Sequence, residues 1–228
     1  MENVIAMDGP SGSGKSTMAK KLAKELGVLY IDTGAMFRAI ACYIQEKEIK
    51  LDNSNEIAKL LPKMNIEYGK SAGHLVSIDG VDYSLKIREH IVSKWASIIS
   101  QLIPVREYLL HFQRDLARKQ ICVMEGRDIG TVVFPDAFCK IFVTASSEVR
   151  AKRRLEQLHE QGDFDHSFEQ VLADVEKRDK KDMEREVAPL KVADGATVVD
   201  TSDLNEDHVL VKIIELARSK ATENGIGI

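Results

Sequence analysis

The chain has 228 residues, of which 44% are hydrophobic and 30% charged, and its formal net charge is −4. This composition indicates a soluble globular protein with one sizeable core, and it excludes a general basic surface for nucleic acid or anionic membrane. No stretch approaches the ~18 apolar residues of a membrane span. Cys42, Cys122 and Cys139 lack metal-site spacing, which predicts free, buried thiols in a reducing compartment. We expect a cytoplasmic protein, because a strand begins too close to the N-terminus for a signal peptide.

The first predicted strand, residues 4–7, ends at Asp8 and leads into a glycine-rich run. The run fits the phosphate-loop pattern of Gly, four residues, Gly-Lys-Ser/Thr, and a turn without a ligand is the alternative. Its glycines let backbone N–H groups face phosphate oxygens, and the following helix adds its positive N-terminal dipole. Lys15 can reach the β- and γ-phosphates, and the Ser16 hydroxyl can hold Mg²⁺. The predicted loop residues are Gly9, Pro10, Ser11, Gly12, Ser13, Gly14, Lys15, Ser16 and Thr17.

A helix up to Gly27 and a second strand over residues 28–32 follow the loop. We expect a turn at Thr33-Gly34 and then another helix. Strands that alternate with helices predict a parallel sheet with helices on both faces, which binds ligands at the carboxyl ends of its strands. Thr33 and Arg38 therefore come from the same sheet edge as the phosphate loop. The alternatives are a helix cap for Thr33 and a solvated position for Arg38.

The pattern changes to strand-like alternation between residue 64 and about residue 87, with turn residues at 69–73 and 79–80. This predicts a small antiparallel unit inserted between helical regions. Apolar residues at helical spacing follow up to Leu102, and Pro104 starts another helix. Ser97 and Arg106 lie near the junction of these two helices, where ordinary surface residues are the default interpretation.

A third buried strand, residues 121–124, ends in Glu125-Gly126-Arg127-Asp128. Acidic and basic side chains at the carboxyl end of a strand suit metal and phosphate contacts, although a charged turn would have the same composition. Residues 140–145 and 196–200 predict the fourth and fifth strands, and a closing helix runs from about residue 205 to residue 220.

The region 146–189 is highly charged and consists of two predicted helices separated at Gly162-Asp163. In the first, three arginines share one face, namely Arg150, Arg153 and Arg154. The second helix carries charged residues at steps of four, four and three. One interpretation is a pair of solvated helices with surface ion pairs. The other is a mobile lid that brings arginines to transferring phosphates and excludes water. The residues on the second helix are Asp174, Arg178, Asp182 and Arg185.

Together these segments resemble the nucleoside monophosphate kinases, and most closely the bacterial cytidylate kinase family. The resemblance covers nearly the whole chain, and residues 126–136 are its most specific part. It is carried by residues 8–17, 32–38, 105–107, 126–136, 178–182, 185 and 188–190.

The resemblance implies an α/β fold of the P-loop monophosphate kinase type, with a five-stranded parallel sheet flanked by helices. Residues 1–228 would form a single kinase domain with a monophosphate-binding insert at about 64–95 and a helical lid at about 148–186. It also implies transfer of the ATP γ-phosphoryl to CMP or dCMP with Mg²⁺. We expect a monomer whose partners are these small molecules, with no nucleic acid or membrane.

The resemblance also implies roles for individual residues. Thr33 falls near the acceptor nucleotide, and Arg38 and Arg127 fall on arginines that hold its phosphate. Glu125 stands where the family usually has Asp, so its carboxylate reaches one methylene further. The implied catalytic residues are Lys15, Arg38, Arg127, Arg150 and Arg154. The implied cytosine-reading residues are Ser97, Arg106, Asp128 and Arg185, and those near the sugar are Arg178 and Asp182.

Two rival functions remain open at this point. One is a kinase for another small acceptor, such as UMP, AMP or shikimate. The other is a nucleotide-dependent switch, although the chain lacks the Asn-Lys-x-Asp motif with which a GTPase reads guanine. No Ser-His-Asp set, thiol nucleophile or zinc constellation is evident in the sequence, and phosphoryl transfer needs none of them.

Overall fold

A computed structural model of the protein describes residues 2–69, 75–118, 120–160, 162–203 and 205–228. The chain divides into two compact units. The first combines Met1–Ile31 with Ala117–Ile228, and the second is Asp32–Leu116. No helix among the described residues is long and apolar enough to cross a membrane.

Strand and helix alternate near both ends of the chain, whereas the middle of the chain has consecutive strands and consecutive helices. The strands are β1 (Glu2–Asp8), β2 (Leu29–Asp32), β3 (Ile66–Tyr68), β4 (Val76–Ile78), β5 (Val81–Asp82), β6 (Cys122–Gly126), β7 (Ala137–Thr144) and β8 (Thr197–Asp200). The α-helices are α1 (Lys15–Leu26), α2 (Thr33–Glu46), α3 (Ser54–Leu60), α4 (His90–Ile99), α5 (Ile103–Ala117), α6 (Ser147–Glu160), α7 (Phe168–Glu184) and α8 (Glu206–Glu223). A π-helical turn covers Ile129–Val133.

The first unit is built on a five-stranded sheet in the order β2-β6-β1-β7-β8. β1 pairs in parallel with β6 on one side and with β7 on the other, and β7 pairs in parallel with β8. In this register Met7 lies beside Glu125, so the carboxyl ends of β1 and β6 are neighbours in the sheet. The predicted five-stranded parallel sheet is confirmed. Its central strand β1 is buried from Val4 to Asp8, as a strand inside a parallel sheet should be.

The core of this unit lies where α1 and α8 pack against the sheet. Gly27 ends α1 in the left-handed conformation, as its position in the sequence predicts. The closing helix α8 begins after Asn205, whose side chain accepts from the His208 N–H. The buried residues of this core are Ile5, Met7, Met18, Ala19, Leu22, Ala23, Val123, Phe138, Cys139, Ile141, Val143, Val199, Val209, Ile213, Ala217 and Ala221.

The charged region also belongs to the first unit and forms the predicted pair of helices, α6 and α7, which pack on each other. A small apolar cluster of Ala151, Leu158, Val171 and Val175 joins them. The sequence placed Arg185 on the second helix, and this was wrong. Arg185 is the C-cap of α7 and has extended backbone angles, so the chain has already left the helix there. Its side chain donates to the Ala188 carbonyl, three residues further along, at 2.6 Å.

The second unit contains the predicted antiparallel insert, a three-stranded sheet in the order β3-β4-β5. Helix α2 packs against α4 and β4. The predicted turn at Thr33-Gly34 is absent, since α2 begins at Thr33 itself. The reason is that Asp32 caps this helix, with its carboxylate accepting from the Ala35 N–H at 2.9 Å. Of the turn predicted at 69–73, residues 70–73 lie outside the described residues.

Candidate active site

The phosphate loop connects the end of β1 to the start of α1, and its glycines are required by its shape. Gly9 has a φ of +151°, and a Cβ there would lie 2.0 Å from the Val143 carbonyl oxygen on β7. Gly14 is the N-cap of α1 and has a φ of +82°. Only glycine satisfies both the close approach and the positive φ. Because the N-cap of α1 is a glycine, no side chain of the cap residue accepts from the first N–H groups of the helix, which suits an anion.

Lys15 is buried inside this loop, with 6% of its surface exposed. Its ammonium donates to the Pro10 carbonyl at 3.5 Å and lies 3.9 Å from a carboxylate oxygen of Glu125. Ser13 donates to the same carbonyl at 3.1 Å. The amine is thus held at the loop by oxygen atoms on two sides.

Glu125 on β6 is 2% exposed and stands beside the loop. Its Oε2 accepts from the Ser16 hydroxyl at 2.6 Å, and its Oε1 accepts from the Tyr30 hydroxyl on β2. Sequence reasoning named Ser16 and Glu125 as site residues but missed Tyr30. Tyr30 had no motif of its own, and its hydroxyl reaches the loop only because β2 and β6 are neighbours in the sheet.

Asp8 is a second buried acid that sequence reasoning did not assign to the site. Its two carboxylate oxygens accept from the Ile129 and Gly130 N–H groups at 2.8 and 2.7 Å, so it ties the end of β1 to the π-helical turn. Burial raises its pKa from 3.8 to about 7, and the two backbone hydrogen bonds offset this only in part. The π-helical turn that directly follows Arg127 and Asp128 is therefore anchored to the strand that precedes the phosphate loop.

Two ion pairs connect Arg127 and Asp128, which lie between β6 and the π-helical turn, to the end of α7. The Arg127 Nε lies 3.1 Å from the Asp182 carboxylate, and an Arg185 nitrogen lies 3.4 Å from Asp128. All four were candidate acceptor residues, and the structure brings them together within the first unit. Arg178 lies half-buried on α7, one turn before Asp182. Two carboxylates and two guanidinium groups side by side form a polar surface that can pair donors and acceptors with a ligand.

The three arginines of α6 occupy different environments. Arg150 is 5% exposed and donates to Ser11 in the phosphate loop at 3.2 Å. Arg153 donates to the Thr201 hydroxyl and carbonyl at 3.0 and 2.8 Å. Thr201 in turn donates to Ser13 in the loop at 3.1 Å. This chain through Thr201 was missed, because Thr201 follows β8 and had no motif around it.

Arg154 makes its hydrogen bond within α6. A nitrogen of its guanidinium lies 3.5 Å from Gln157, one turn further along α6, and burial lowers its pKa. Of the two lid arginines implied to be catalytic, the structure therefore connects Arg150 to the loop by a hydrogen bond. The roles of both remain predictions.

The second unit contains the other four candidate acceptor residues. Arg38 on α2 forms an ion pair with Asp32 at 3.0 Å, and the Asp32 N–H donates to the Tyr68 hydroxyl at 2.7 Å. Thr33 is buried in the first turn of the same helix, with 4% of its surface exposed. The guanidinium of Arg38 is therefore held beside the start of α2.

Arg106 on α5 lies over the ring of Phe37, with 5.7 Å between the guanidinium carbon and the ring centroid. It also donates to the Ser100 carbonyl at 3.0 Å. Ser97 lies half-buried one turn earlier, on α4. Since Phe37 precedes Arg38, this cation–π contact brings Arg106 next to the helix that carries Thr33 and Arg38.

The model of the family described as cytidylate kinase matches residues 5–219. The chain belongs to the cytidylate kinase family. The predicted resemblance is thereby confirmed, and the match favours a kinase over a nucleotide-dependent switch.

Individual relatives agree with this assignment. A cytidylate kinase of Caldicellulosiruptor saccharolyticus is 47% identical over 213 residues, which cover 93% of this chain and 94% of that protein. A cytidylate kinase of Caldanaerobacter subterraneus subsp. tengcongensis is 46% identical over 214 residues, which cover 94% of each chain. Among solved structures, an uncharacterized protein from Eubacterium ventriosum has a TM-score of 0.51 at 15% identity, covering 95% of this chain and 98% of that one. That likeness concerns the fold alone.

Proposed function

We propose that the protein is an ATP-dependent phosphotransferase that moves the γ-phosphoryl of ATP to CMP or dCMP, giving ADP and CDP or dCDP. The observation that carries the proposal is the family match over residues 5–219, which includes the phosphate loop and the turn after β6. Phosphoryl transfer asks the protein mainly for positioning and for positive groups around the moving phosphoryl. The residues around the loop are of the types that this chemistry requires.

On the ATP side, residues 9–17 hold the phosphates with backbone N–H groups and the N-terminal dipole of α1. Lys15 places its ammonium against the β- and γ-phosphate oxygens, where negative charge develops in the transition state. Its neighbour Glu125 keeps the amine positioned beside the loop, at 3.9 Å. A phosphate arriving there gains a charge-assisted contact with a cation that is already in place.

Mg²⁺ fits this site through Ser16. The Ser16 hydroxyl donates a hydrogen bond to Glu125 at 2.6 Å, which leaves the lone pairs of the Ser16 oxygen for a cation. No cluster of three or more His, Cys, Asp or Glu side chains that could hold a metal occurs among the residues described. The Ser16 hydroxyl as a protein ligand suits Mg²⁺, because this ion takes few protein ligands and completes its shell with water and phosphate oxygens. When bound, the ion neutralises charge on the phosphates.

On the acceptor side, we assign the CMP phosphate to Arg38 and Arg127 and place Thr33 near the acceptor nucleotide. Both guanidinium groups are already oriented by carboxylates, Asp32 and Asp182. Arg178 and Asp182 would contact the sugar. Preorganised groups lose less side-chain entropy when a ligand arrives, so these ion pairs favour binding.

Cytosine recognition is assigned to a set of donors and acceptors. Cytosine presents an amino donor beside a ring-nitrogen acceptor, whereas uracil presents a carbonyl acceptor beside an N–H donor. A selective site must therefore pair a carboxylate or hydroxyl acceptor with an arginine donor. UMP would set its carbonyl against an acceptor, and each such mismatch costs ~1–3 kcal/mol. The assigned residues are Ser97, Arg106, Asp128 and Arg185.

The decisive experiment measures ADP release with MgATP and each ribo- and deoxy-monophosphate in turn. CMP and dCMP should be good substrates, UMP much poorer, and AMP and GMP poor or inactive. Arg185→Ala and Asp128→Ala should raise the KM for CMP and narrow its advantage over UMP. A matched control is Arg218→Ala, a substitution on α8 in the first unit, which should leave both substrates unaffected. Equal use of UMP and CMP by the wild-type protein would remove the cytidylate assignment.

We further propose that residues 1–228 act as one kinase domain, with residues 64–95 as the monophosphate-binding insert and residues 148–186 as a lid. The lid would close over ATP and bring Arg150 and Arg154 to the transferring phosphoryl. Hydrogen exchange across α6 and α7 should slow when a bisubstrate analogue is bound. Exchange that stays unchanged there would refute the lid.

The state of the three cysteines supports a proposal for the cellular setting. All three cysteines are free and buried, and burial raises the pKa of Cys122 and Cys139 to about 12, which keeps the thiols protonated and inert. We propose a cytoplasmic monomer that acts on small-molecule nucleotides and needs neither nucleic acid nor a membrane. Analytical ultracentrifugation of the active protein tests the monomer.

A further inference from the structure

The Glu125 carboxylate is held by two hydroxyl groups that come from different elements. Ser16 in the first turn of α1 donates to Oε2 at 2.6 Å, and Tyr30 on β2 donates to Oε1. Because both oxygens accept hydrogen bonds, the position and the rotation of the carboxylate are both fixed. The Tyr30 ring is itself restrained, because the Lys20 ammonium lies over it at 5.6 Å from the ring centroid.

This arrangement affects how the Ser16 hydroxyl can bind a metal ion. A hydroxyl has one proton and two lone pairs, so its proton must be directed away from any cation that the oxygen binds. Glu125 accepts a hydrogen bond from this hydroxyl. The direction of the Ser16 O–H bond therefore depends on where the Glu125 carboxylate is held. Groups that orient a metal ligand in this way typically change metal affinity 10–100-fold when they are removed.

We infer that Tyr30 is a positioning residue for Mg²⁺-dependent ATP binding, acting through Glu125 on Ser16. The inference rests on the proposed function and adds a residue to it. It also gives a reason why a glutamate can stand at position 125. The longer side chain spans the gap between the two hydroxyls, and an aspartate would withdraw the carboxylate by about 1.5 Å, one C–C bond. A shortened side chain could not keep both bonds within roughly 3.0 Å, the usual upper distance for an O–H···O hydrogen bond.

The test compares ATP binding with Mg²⁺ and ATP binding in EDTA, by calorimetry and without acceptor, so that no turnover is involved. Tyr30→Phe should weaken binding with Mg²⁺ about tenfold, at the low end of the range for such groups, and leave binding in EDTA nearly unchanged. In a Glu125→Asp background, the same Tyr30→Phe change should have less than about a twofold effect, because the bond to Tyr30 is already lost.

Tyr43→Phe is the matched control. Tyr43 lies in the second unit, and its hydroxyl donates to the carboxylate of Asp79. Tyr43→Phe therefore removes the same kind of hydrogen bond as Tyr30→Phe. It should leave the ratio of the two ATP affinities unaffected. If Tyr30→Phe leaves that ratio unchanged, or alters it equally in the Glu125→Asp background, the inference is overturned. Wild-type turnover of CMP is measured separately, so failure of the proposed function and failure of this inference are distinguishable.

Discussion

Arg150 on α6 and Asp179 on α7 form a two-point ion pair, with distances of 3.1 and 2.5 Å between their facing nitrogen and oxygen atoms. Both side chains are largely buried, at 5% and 13% exposure. The same guanidinium donates to Ala145 at the end of β7 and to Ser11 in the phosphate loop. Arg150 therefore ties the two helices of the proposed lid to the loop.

The first prediction concerns the removal of one partner of this pair. Asp179→Ala should lower the free energy of unfolding by about 3–5 kcal/mol, because it leaves a buried guanidinium without its countercharge. Urea unfolding measures the change. Glu223→Ala, which removes the exposed partner of Lys220, is the control and should leave the stability nearly unchanged. Equal small effects of both substitutions would contradict a structural role for the buried pair.

The second prediction separates steric contact from backbone conformation at two glycines. Gly9→Ala should destabilise the protein by about 4 kcal/mol or more, since the new Cβ would lie 2.0 Å from the Val143 carbonyl oxygen. Gly27→Ala should cost only about 1–2 kcal/mol, because Gly27 also has positive φ but open space around it. Urea unfolding of both variants measures the difference. Similar values for the two would show that the close approach to β7 is unimportant.

The third prediction concerns the pH dependence of stability and follows from Asp8. Its pKa is about 7 in the folded protein against an ordinary 3.8, so the folded state binds more protons than the unfolded state between these values. Stability contributed by this group should therefore be present near pH 4 and be lost as the pH rises towards 7. Urea unfolding from pH 4.5 to 9 should show wild type losing stability relative to Asp8→Asn, with the difference becoming constant only about one pH unit above the pKa of Asp8. Parallel profiles would be inconsistent with a raised pKa.

The fourth prediction tests the phosphate loop in the reaction. Lys15→Met keeps most of the buried stem but removes the ammonium, and it should lower kcat at least about 100-fold. Its circular dichroism spectrum should match that of wild type. Lys24→Ala, an exposed change in the last turn of α1, should leave kcat unaltered. Near-normal turnover by folded Lys15→Met protein would exclude the loop from the mechanism.

Much of this protein is determined by local sequence. The phosphate loop is recognisable because its glycines, lysine and serine must stand at fixed spacing to surround a phosphate. The strands are recognisable because strands covered on both faces consist of uninterrupted apolar residues. The antiparallel insert and the break at Gly162 likewise follow from alternation and turn residues within a few positions.

Only the tertiary structure decided the contacts between residues that are distant in sequence. Tyr30 reaches Glu125 across 95 positions, and Asp8 reaches Ile129 across 121. Such contacts depend on which strands become neighbours in the sheet, and a pattern within a few residues does not specify that order. The same holds for α6, where three arginines share one predicted face, yet packing against α7 buries Arg150 while Thr201 engages Arg153. Periodicity specifies which side of a helix a residue occupies, but the neighbouring elements determine what that side contacts.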